Sequence, residues 1–326
     1  MFGKLPEIFG RDFAVGYFLP SAVFVAVSIK ITGVAIPIQT SSGEDIFKNA
    51  VVFGLVSWLG GVILLAINNN LIRAMEGYGR FNPARLLKGI EVNRFNKLKA
   101  EISRLNSERD KYTDKGKQVP PELQTQRIKF IRLAAERFPD EVAWLLPTSF
   151  GNTIRAFEVY PRVIYGCDSI YGWSRLVAVI PKEFRGLVEA AKAQMDFWVN
   201  LTFLGGLIAI EGVAFYINKS AISFYIVVAA LTASGVSYRM ARNAAGAWGD
   251  LVKASFDVFL PELRRQLEFA FQANRGEEQA QWTRFSQAII YRLQGTMPDR
   301  VQEPKDSLNY LTKQSDEKNE VEKSDE

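Results

Sequence analysis

Long apolar blocks alternate with densely charged ones along this chain. Phe13–Ile29 is apolar and, after Lys30, the same character resumes in "ITGVAIPI"; Val51–Ile67, Phe197–Ile217 and Ala221–Tyr238 form three further blocks. Each has the ~17–25 residues that a helix needs to cross a hydrocarbon layer, so the pattern predicts four transmembrane helices. One such block alone also fits a buried core helix of a soluble protein. Four, alternating with charged segments, fit a membrane far better. The first block is too long for the apolar region of a secretory signal, and no A-x-A-like pair follows it, so it is read as a span.

Charge gives the spans a direction. Leu71–Gln194 carries 22 Lys and Arg and the chain after Tyr238 carries 13, whereas Gln39–Ala50 has only Lys48 and Asn218–Ser220 only Lys219. Basic residues concentrate on the cytoplasmic side of membrane proteins. The expectation is a multi-pass protein of the plasma (inner) membrane with both termini in the cytoplasm. The predicted fold class is an all-α membrane protein: four transmembrane helices in two hairpins, with a cytoplasmic helical domain. Residues 1–70 would hold the first transmembrane hairpin, 71–196 the cytoplasmic domain, and 197–249 the second hairpin with a helical extension. Residues 250–301 would add C-terminal cytoplasmic helices, and the polar, charge-rich 302–326 a disordered tail.

The charged regions show helical periodicity. After an Asn- and Gly-rich exit from the second span, "VNRFNKLKAEISRLNSERDKY" places Phe95, Leu98, Ile102 and Leu105 on one stripe. A turn with Pro120-Pro121 follows, then "LQTQRIKFIRLAAERF" with Leu123, Ile128, Ile131 and Ala134, and also Leu133 and Phe138. Together they predict a helical hairpin, a short coiled coil. Its Lys and Arg are interleaved with Glu and Asp, the pattern of a solvated face, so no nucleic-acid partner is expected. Near the C-terminus, "LVKASFDVFLPELRRQLEFAF" has an amphipathic face with a break expected at Pro261, and "NRGEEQAQWTRFSQAIIYRL" reads as one more helix.

Small residues indicate how the spans touch. Ala229, Ala233, Ser237, Ala241, Ala245 and Gly249 recur every four residues, a packing stripe that leads the fourth helix past Arg239 and Arg242 into the cytoplasm. Two charges interrupt the apolar blocks. At 1.5 Å per residue, Lys30 lies roughly 26 Å and Glu211 roughly 21 Å from the cytoplasmic start of its block. Such charges are costly in a membrane and usually have a partner or a task. They are read as an ion pair or an outward-reaching Lys, with a permeation or proton site as the sharper alternative.

One Cys and no His narrow the chemistry. No disulfide forms within the chain, and no His-based triad, zinc site or imidazole switch is available. No metal motif or cofactor is expected. The densest polar and aromatic stretch is residues 146–181, "LPTSFGNTIRAFEVYPRVIYGCDSIYGWSRLVAVIP". It holds the candidate binding residues Asn152, Arg155, Glu158, Tyr160, Arg162, Tyr165, Asp168, Trp173 and Arg175. A helix is predicted from Pro147 and Thr148 to about Tyr160, stopping before Pro161. A second is capped by Asp168 or Ser169 and runs through "IYGWSRLVAVI"; "PKEFRGLVEAAKAQM" then leads as a helix into the third span. These side chains suit a structural collar, a phosphate- or headgroup-binding surface, or an acid–base pair of Glu158 and Asp168.

The stretches "FAVGYFLPSAVF", "LPTSFGNTIRAFEVYPRVIYGCDSIYGWSRL" and "EEQAQWTRFSQAIIY" resemble a group of bacterial multi-pass membrane proteins of unassigned function. That group shows a GY-x-LP first helix, a PT-x-x-GN-x-x-RA-x-E-x-YP…YG-x-D block and a late EE-x-x-x-W helix. The motifs fall here on Gly16, Tyr17, Leu19 and Pro20; on Pro147, Gly151, Asn152, Arg155, Glu158, Tyr160, Pro161, Tyr165, Gly166 and Asp168; and on Glu277, Glu278 and Trp282. The resemblance implies a bacterial membrane protein and carries no activity. The expected function is a membrane-anchored scaffold, sensor or effector that acts through its cytoplasmic helical domain on another protein or as a homo-oligomer. The alternatives are an oligomeric channel or transporter, and a lipid- or nucleotide-directed membrane enzyme using Glu158 and Asp168.

Overall fold

A computed structural model describes residues 10–32, 43–216 and 221–300. Of these, 84% are helical. The helices are α1 (Arg11–Thr32), α2 (Gly43–Glu76), α3 (Lys88–Thr113), α4 (Pro121–Arg137), α5 (Ser149–Tyr165), α6 (Ser169–Leu176), α7 (Lys182–Tyr216), α8 (Ala221–Gln266) and α9 (Arg275–Tyr291). Four of them, α1, α2, α7 and α8, are long and apolar enough to cross a membrane. Their outward faces are apolar too. Leu55, Leu59 and Ile63 form an exposed stripe on α2, and Ile210 is exposed on α7. Exposed apolar surface of this extent points to membrane association. Residues 33–42 and 217–220, between the apolar blocks, and the predicted disordered tail lie outside the described residues, whereas residues 43–50 of the expected Gln39–Ala50 loop are already helical in α2.

The described chain forms two compact units, one of residues up to Pro161 together with Ile180–Asp257, the other of Arg162–Val179 together with residues from Val258 onward. In the first unit, α1 lies against α2 and α7. Gly60 and Gly61 of α2 give Ser21 and Phe18 of α1 room to approach. On the other side of α1, Gly16 faces the backbone of Ala193, and Phe24, Val27 and Ile31 pack with Ile208, Ala209 and Ala230. Gly205 of α7 meets Ala230 and Ser234 of α8, and the Ser234 hydroxyl donates to the Thr202 carbonyl at 2.8 Å.

Several boundaries differ from those read in the sequence. α2 continues through Asn68–Asn70 to Glu76, so the helix ends nine residues after the apolar block. α5 runs through Pro161 and α8 through Pro261. A proline inside a helix removes one donor and strains the turn before it, but it need not end a helix whose faces are already packed. α8 is 46 residues long, about 69 Å at 1.5 Å per residue. The every-four stripe on it holds only in part: Ser237, Ala241, Ala245 and Gly249 are buried, whereas Ala229 and Ala233 are exposed. Four residues turn a helix by about 400°, so such a stripe drifts by about 40° per step. The packed line instead passes through Ala230 and Ser234 before it joins Ser237.

Lys30 and Glu211 do not pair. Glu211 accepts a hydrogen bond from the Ser28 hydroxyl at 2.8 Å, and Lys30 is exposed. Two residues subtend about 200° on a helix, so Ser28 faces α7 while Lys30 faces away.

The predicted helical hairpin is present as α3 and α4. Arg127 donates to Asn106 at 2.6 Å, and Phe95 meets Phe138 edge-on at 5.7 Å, pairs that fix an antiparallel register. Gly116 adopts φ +62° in the turn, and Pro121 opens α4. Phe95, Leu98 and Leu105 are buried as predicted. On α4, however, the inward line is Leu123, Arg127, Phe130 and Ala134, while Ile128 (52%) and Ile131 (37%) are exposed. Spacing of i, i+4, i+7 and i+11 keeps to one face, and the predicted set did not have it.

Candidate functional site

The stretch from Leu146 to Tyr160 is built into the first unit by close backbone approach. Gly77, at φ +95°, leaves its missing side chain's place to the Pro147 ring. The Thr148 hydroxyl donates to the Met75 carbonyl at 2.7 Å and accepts from the Gly151 amide at 2.9 Å, which caps α5. A Cβ on Gly151 would lie 2.7 Å from the Glu76 carbonyl oxygen, so only glycine allows the start of α5 to rest on the end of α2.

Polar side chains complete the joint. Asn152 is fully buried; it accepts from the Leu146 amide at 2.7 Å and donates at 3.1 Å to both the Leu146 carbonyl and the Glu91 carboxylate. Glu91 is itself buried and accepts from Arg94 at 2.6 Å. A carboxylate held this way leaves little of its charge unmatched. Arg155 donates to the Tyr78 hydroxyl and pairs with Glu158 at 3.2 Å. Tyr78 in turn carries Arg73 over its ring at 5.2 Å. Glu76 is buried beside this group, within the electrostatic reach of Glu158, Arg155 and Arg73.

Along its other side α5 runs parallel to α8. The Ser149 and Tyr238 hydroxyls are 3.2 Å apart, and Phe157 fills the space over Gly249 and meets Trp248 edge-on at 5.1 Å. Tyr160 donates to Asp257 at 2.9 Å and has Lys253 over its ring at 5.9 Å. The stretch therefore braces three long elements of one unit: the end of α2, the start of α3 and the extension of α8.

The remaining candidates belong to the second unit. Gly166 adopts φ +78°, and a Cβ there would overlap the Gln279 carbonyl oxygen and the Thr283 hydroxyl. Asp168 caps α6, accepting from the Ile170 and Tyr171 amides at 3.1 and 3.2 Å. Its own amide donates to the Ser286 hydroxyl at 2.9 Å, and Ser286 donates to the Trp282 carbonyl at 2.8 Å. The α6 helix is shorter than predicted, since Val177–Val179 form turns. Arg175 donates to the Tyr171 carbonyl at 2.7 Å, a local bond. Trp173 is half-buried, and Arg162 and Tyr165 each line a cavity of this unit, about 240 and 340 Å³. Cys167 is fully buried next to Asp168. Burial, and secondarily the neighbouring carboxylate, push its thiol from the ordinary 9.0 up to about 12. A neutral, enclosed thiol is inert rather than nucleophilic. Trp282, Phe269 and Phe285 form the aromatic core of this unit, with ring centroids 5.4–6.1 Å apart.

The two candidate carboxylates thus have separate employments: Glu158 pairs with Arg155, and Asp168 caps a helix. Among the described residues no cluster of three His, Cys, Asp or Glu has metal-binding geometry. Sequence reading missed Glu76, Tyr78 and Glu91, which complete the joint. They sit in stretches that read as a membrane exit and a solvated helix, and only the fold returns them to α5. No protein-family model, curated protein or solved structure matches the chain.

Proposed function

We propose that the protein is a membrane-anchored scaffold or effector that acts by binding another protein through the α3–α4 hairpin. The observation that carries this reading is the outer face of α4, where Ile128 and Ile131 are exposed one turn apart, each followed by a basic residue, Lys129 and Arg132. Apolar side chains on a charged helix outside the apolar blocks suit a partner surface. The four long apolar helices serve as the anchor, arranged as two transmembrane hairpins. The concentration of Lys and Arg in Leu71–Gln194 and after Tyr238 supports a cytoplasmic side for the hairpin and both termini. In this reading the 146–160 stretch is a collar that ties the hairpin's base to the spans, because its polar groups bond to the end of α2, the start of α3 and the extension of α8. The likeness of its motifs to bacterial multi-pass membrane proteins agrees with an inner-membrane location.

The test is photocrosslinking from position 128 in native membranes. A single adduct of defined mass, abolished by Ile131→Asp while the detergent melting temperature stays unchanged, supports the scaffold. Ion flux through the purified protein in liposomes, blocked by Glu211→Gln, would replace it with a channel. Side is read separately: in a Cys167→Ser background, Lys115→Cys should react with an impermeant thiol reagent only in opened cells, and Ser42→Cys in intact ones.

A further inference from the structure

A second polar site lies in the first unit, at the junction of α1, α2 and α7. It begins with a proline. Pro20 has no amide hydrogen to give the Gly16 carbonyl one turn earlier, and Ala14–Phe18 is wound as a π-helix. The freed Gly16 carbonyl accepts instead from the Asn200 amide group at 2.8 Å. The widened turn puts the Tyr17 hydroxyl on Asp196, to which it donates at 2.7 Å. Lys192 donates to the same carboxylate oxygen, Oδ2, also at 2.7 Å.

The other oxygen of Asp196, Oδ1, has no hydrogen-bond partner among the described residues, although the residue is only 2% exposed. Asp196 is one of the residues lining a cavity of about 320 Å³. That is the scale of a small-molecule site, ~300–1,000 Å³. Asp12 and Glu189 stand at the exposed rim, and Phe13, Tyr17 and Leu65 supply the apolar wall. Three carboxylates face one ammonium, Lys192, and Glu189 has a further loose contact with Arg185 at 3.7 Å. The rings of Phe13 and Tyr17 are stacked, with centroids 6.1 Å apart.

The cavity's level along the helices is fixed by the sequence. Phe13 and Tyr17 open the first apolar block, Leu65 lies two residues before the end of the second, and Asp196 immediately precedes the third. All three helices therefore pass from apolar to polar at this cavity, which is the level of lipid headgroups for a chain that spans a membrane.

We infer that this cavity binds a primary ammonium, supplied by an amine-bearing phospholipid headgroup. An unpartnered buried carboxylate oxygen requires a donor, and an ammonium brings three. The excess of acid over base favours a cation, and stacked aromatic rings favour an organic one. Lys192 stands ready to meet the headgroup phosphate, while Leu65 and Phe13 lie where the glycerol and chains would begin. The lipid source rests on the membrane reading of the four helices; the ammonium chemistry does not.

The experiment is native mass spectrometry of the full-length protein in detergent, titrated with phosphatidylethanolamine, phosphatidylcholine and phosphatidylglycerol. Free ethanolamine is run as a competitor. Phosphatidylethanolamine should be retained about tenfold better than the other two, because a quaternary amine has no hydrogen to donate and glycerol carries no charge. Asp196→Asn should lose that preference. Should this variant fail to fold, the rim pair Asp12→Asn with Glu189→Gln decides, with an expected loss of about threefold. Equal retention of the three lipids, or a preference unchanged in the variants, overturns the site. Ethanolamine binding that depends on Asp196, without lipid retention, keeps the ammonium and replaces its source with a soluble amine. Alkaline extraction of native membranes reports separately on the membrane reading, since release of the protein would remove the lipid but not the ethanolamine result.

Discussion

Asn152 and Asp196 are both buried polar side chains at helix crossings, and the fold treats them in opposite ways. Asn152 has partners for its oxygen and for both hydrogens of its amide: the Leu146 backbone on one side and Glu91 on the other. Asp196 has two donors crowded onto one oxygen and none on the second. Around Asn152 the neighbouring glycines bring backbones into contact and leave no room. Asp196 instead borders a cavity. The difference teaches how to separate a brace from a receptor when residue types alone do not. A polar group that is fully satisfied by its own chain holds the fold together. One that is half satisfied and borders a cavity is kept for something else.

The largest effect expected is at the brace. Gly151→Val would push a branched side chain into the Glu76 backbone, and should cost about 3 kcal/mol or more, seen as loss of the folded peak in detergent size-exclusion. Arg155→Ala should come next. It removes the ion pair with Glu158 and the hydrogen bond to the Tyr78 hydroxyl, and a charge-assisted hydrogen bond is worth about 1.5–3 kcal/mol, so the melting temperature in detergent should drop clearly. Asp196→Asn should cost less, about 1 kcal/mol, because the site is incomplete to begin with and the amide keeps the shape. If Asp196→Asn proved the most damaging of the three, the contrast between brace and receptor would collapse.

The smallest effect concerns Cys167 in the second unit. Its thiol is raised from 9.0 to about 12 in the folded state, so the unfolded chain loses that proton first. Stability from this group is complete below pH 9 and falls as pH rises toward 12. Melting curves between pH 8 and 11 should show a shallow alkaline loss that Cys167→Ala reduces. Cys167 should also resist alkylation until the protein unfolds.

Much of the architecture was legible in the sequence, since apolar length and charge are local signals. The four long helices, the α3–α4 hairpin and the Asp168 cap all follow from patterns within a few turns of chain. What escaped depends on distant segments meeting. Pro161 and Pro261 look like stops, yet Phe157 over Gly249 and Tyr160 on Asp257 hold α5 and α8 together beyond any local penalty. Lys30 and Glu211 match in depth but not in azimuth, and depth is all that counting residues gives. Within the 146–181 stretch the residue types were visible and their use was not. Glu91 and Tyr78 are 61 and 77 residues away from Asn152 and Arg155, the side chains they complete, and Glu76 is as distant. Gly16 and Pro20 looked like a motif, but only the Asn200 contact explains what the missing amide hydrogen is for.

The central claim is that the polar residues of the 146–160 stretch are a brace. It is tested most directly by a double-mutant cycle on Asn152 and Glu91, with Asn152→Ala, Glu91→Ala and the double variant unfolded in detergent. A brace predicts that each single change is destabilising and that the double is hardly worse than the worse single, a coupling of about 1–3 kcal/mol. Additive losses, or single variants that stay fully stable while the cellular function disappears, would contradict it and make the stretch a binding or catalytic site.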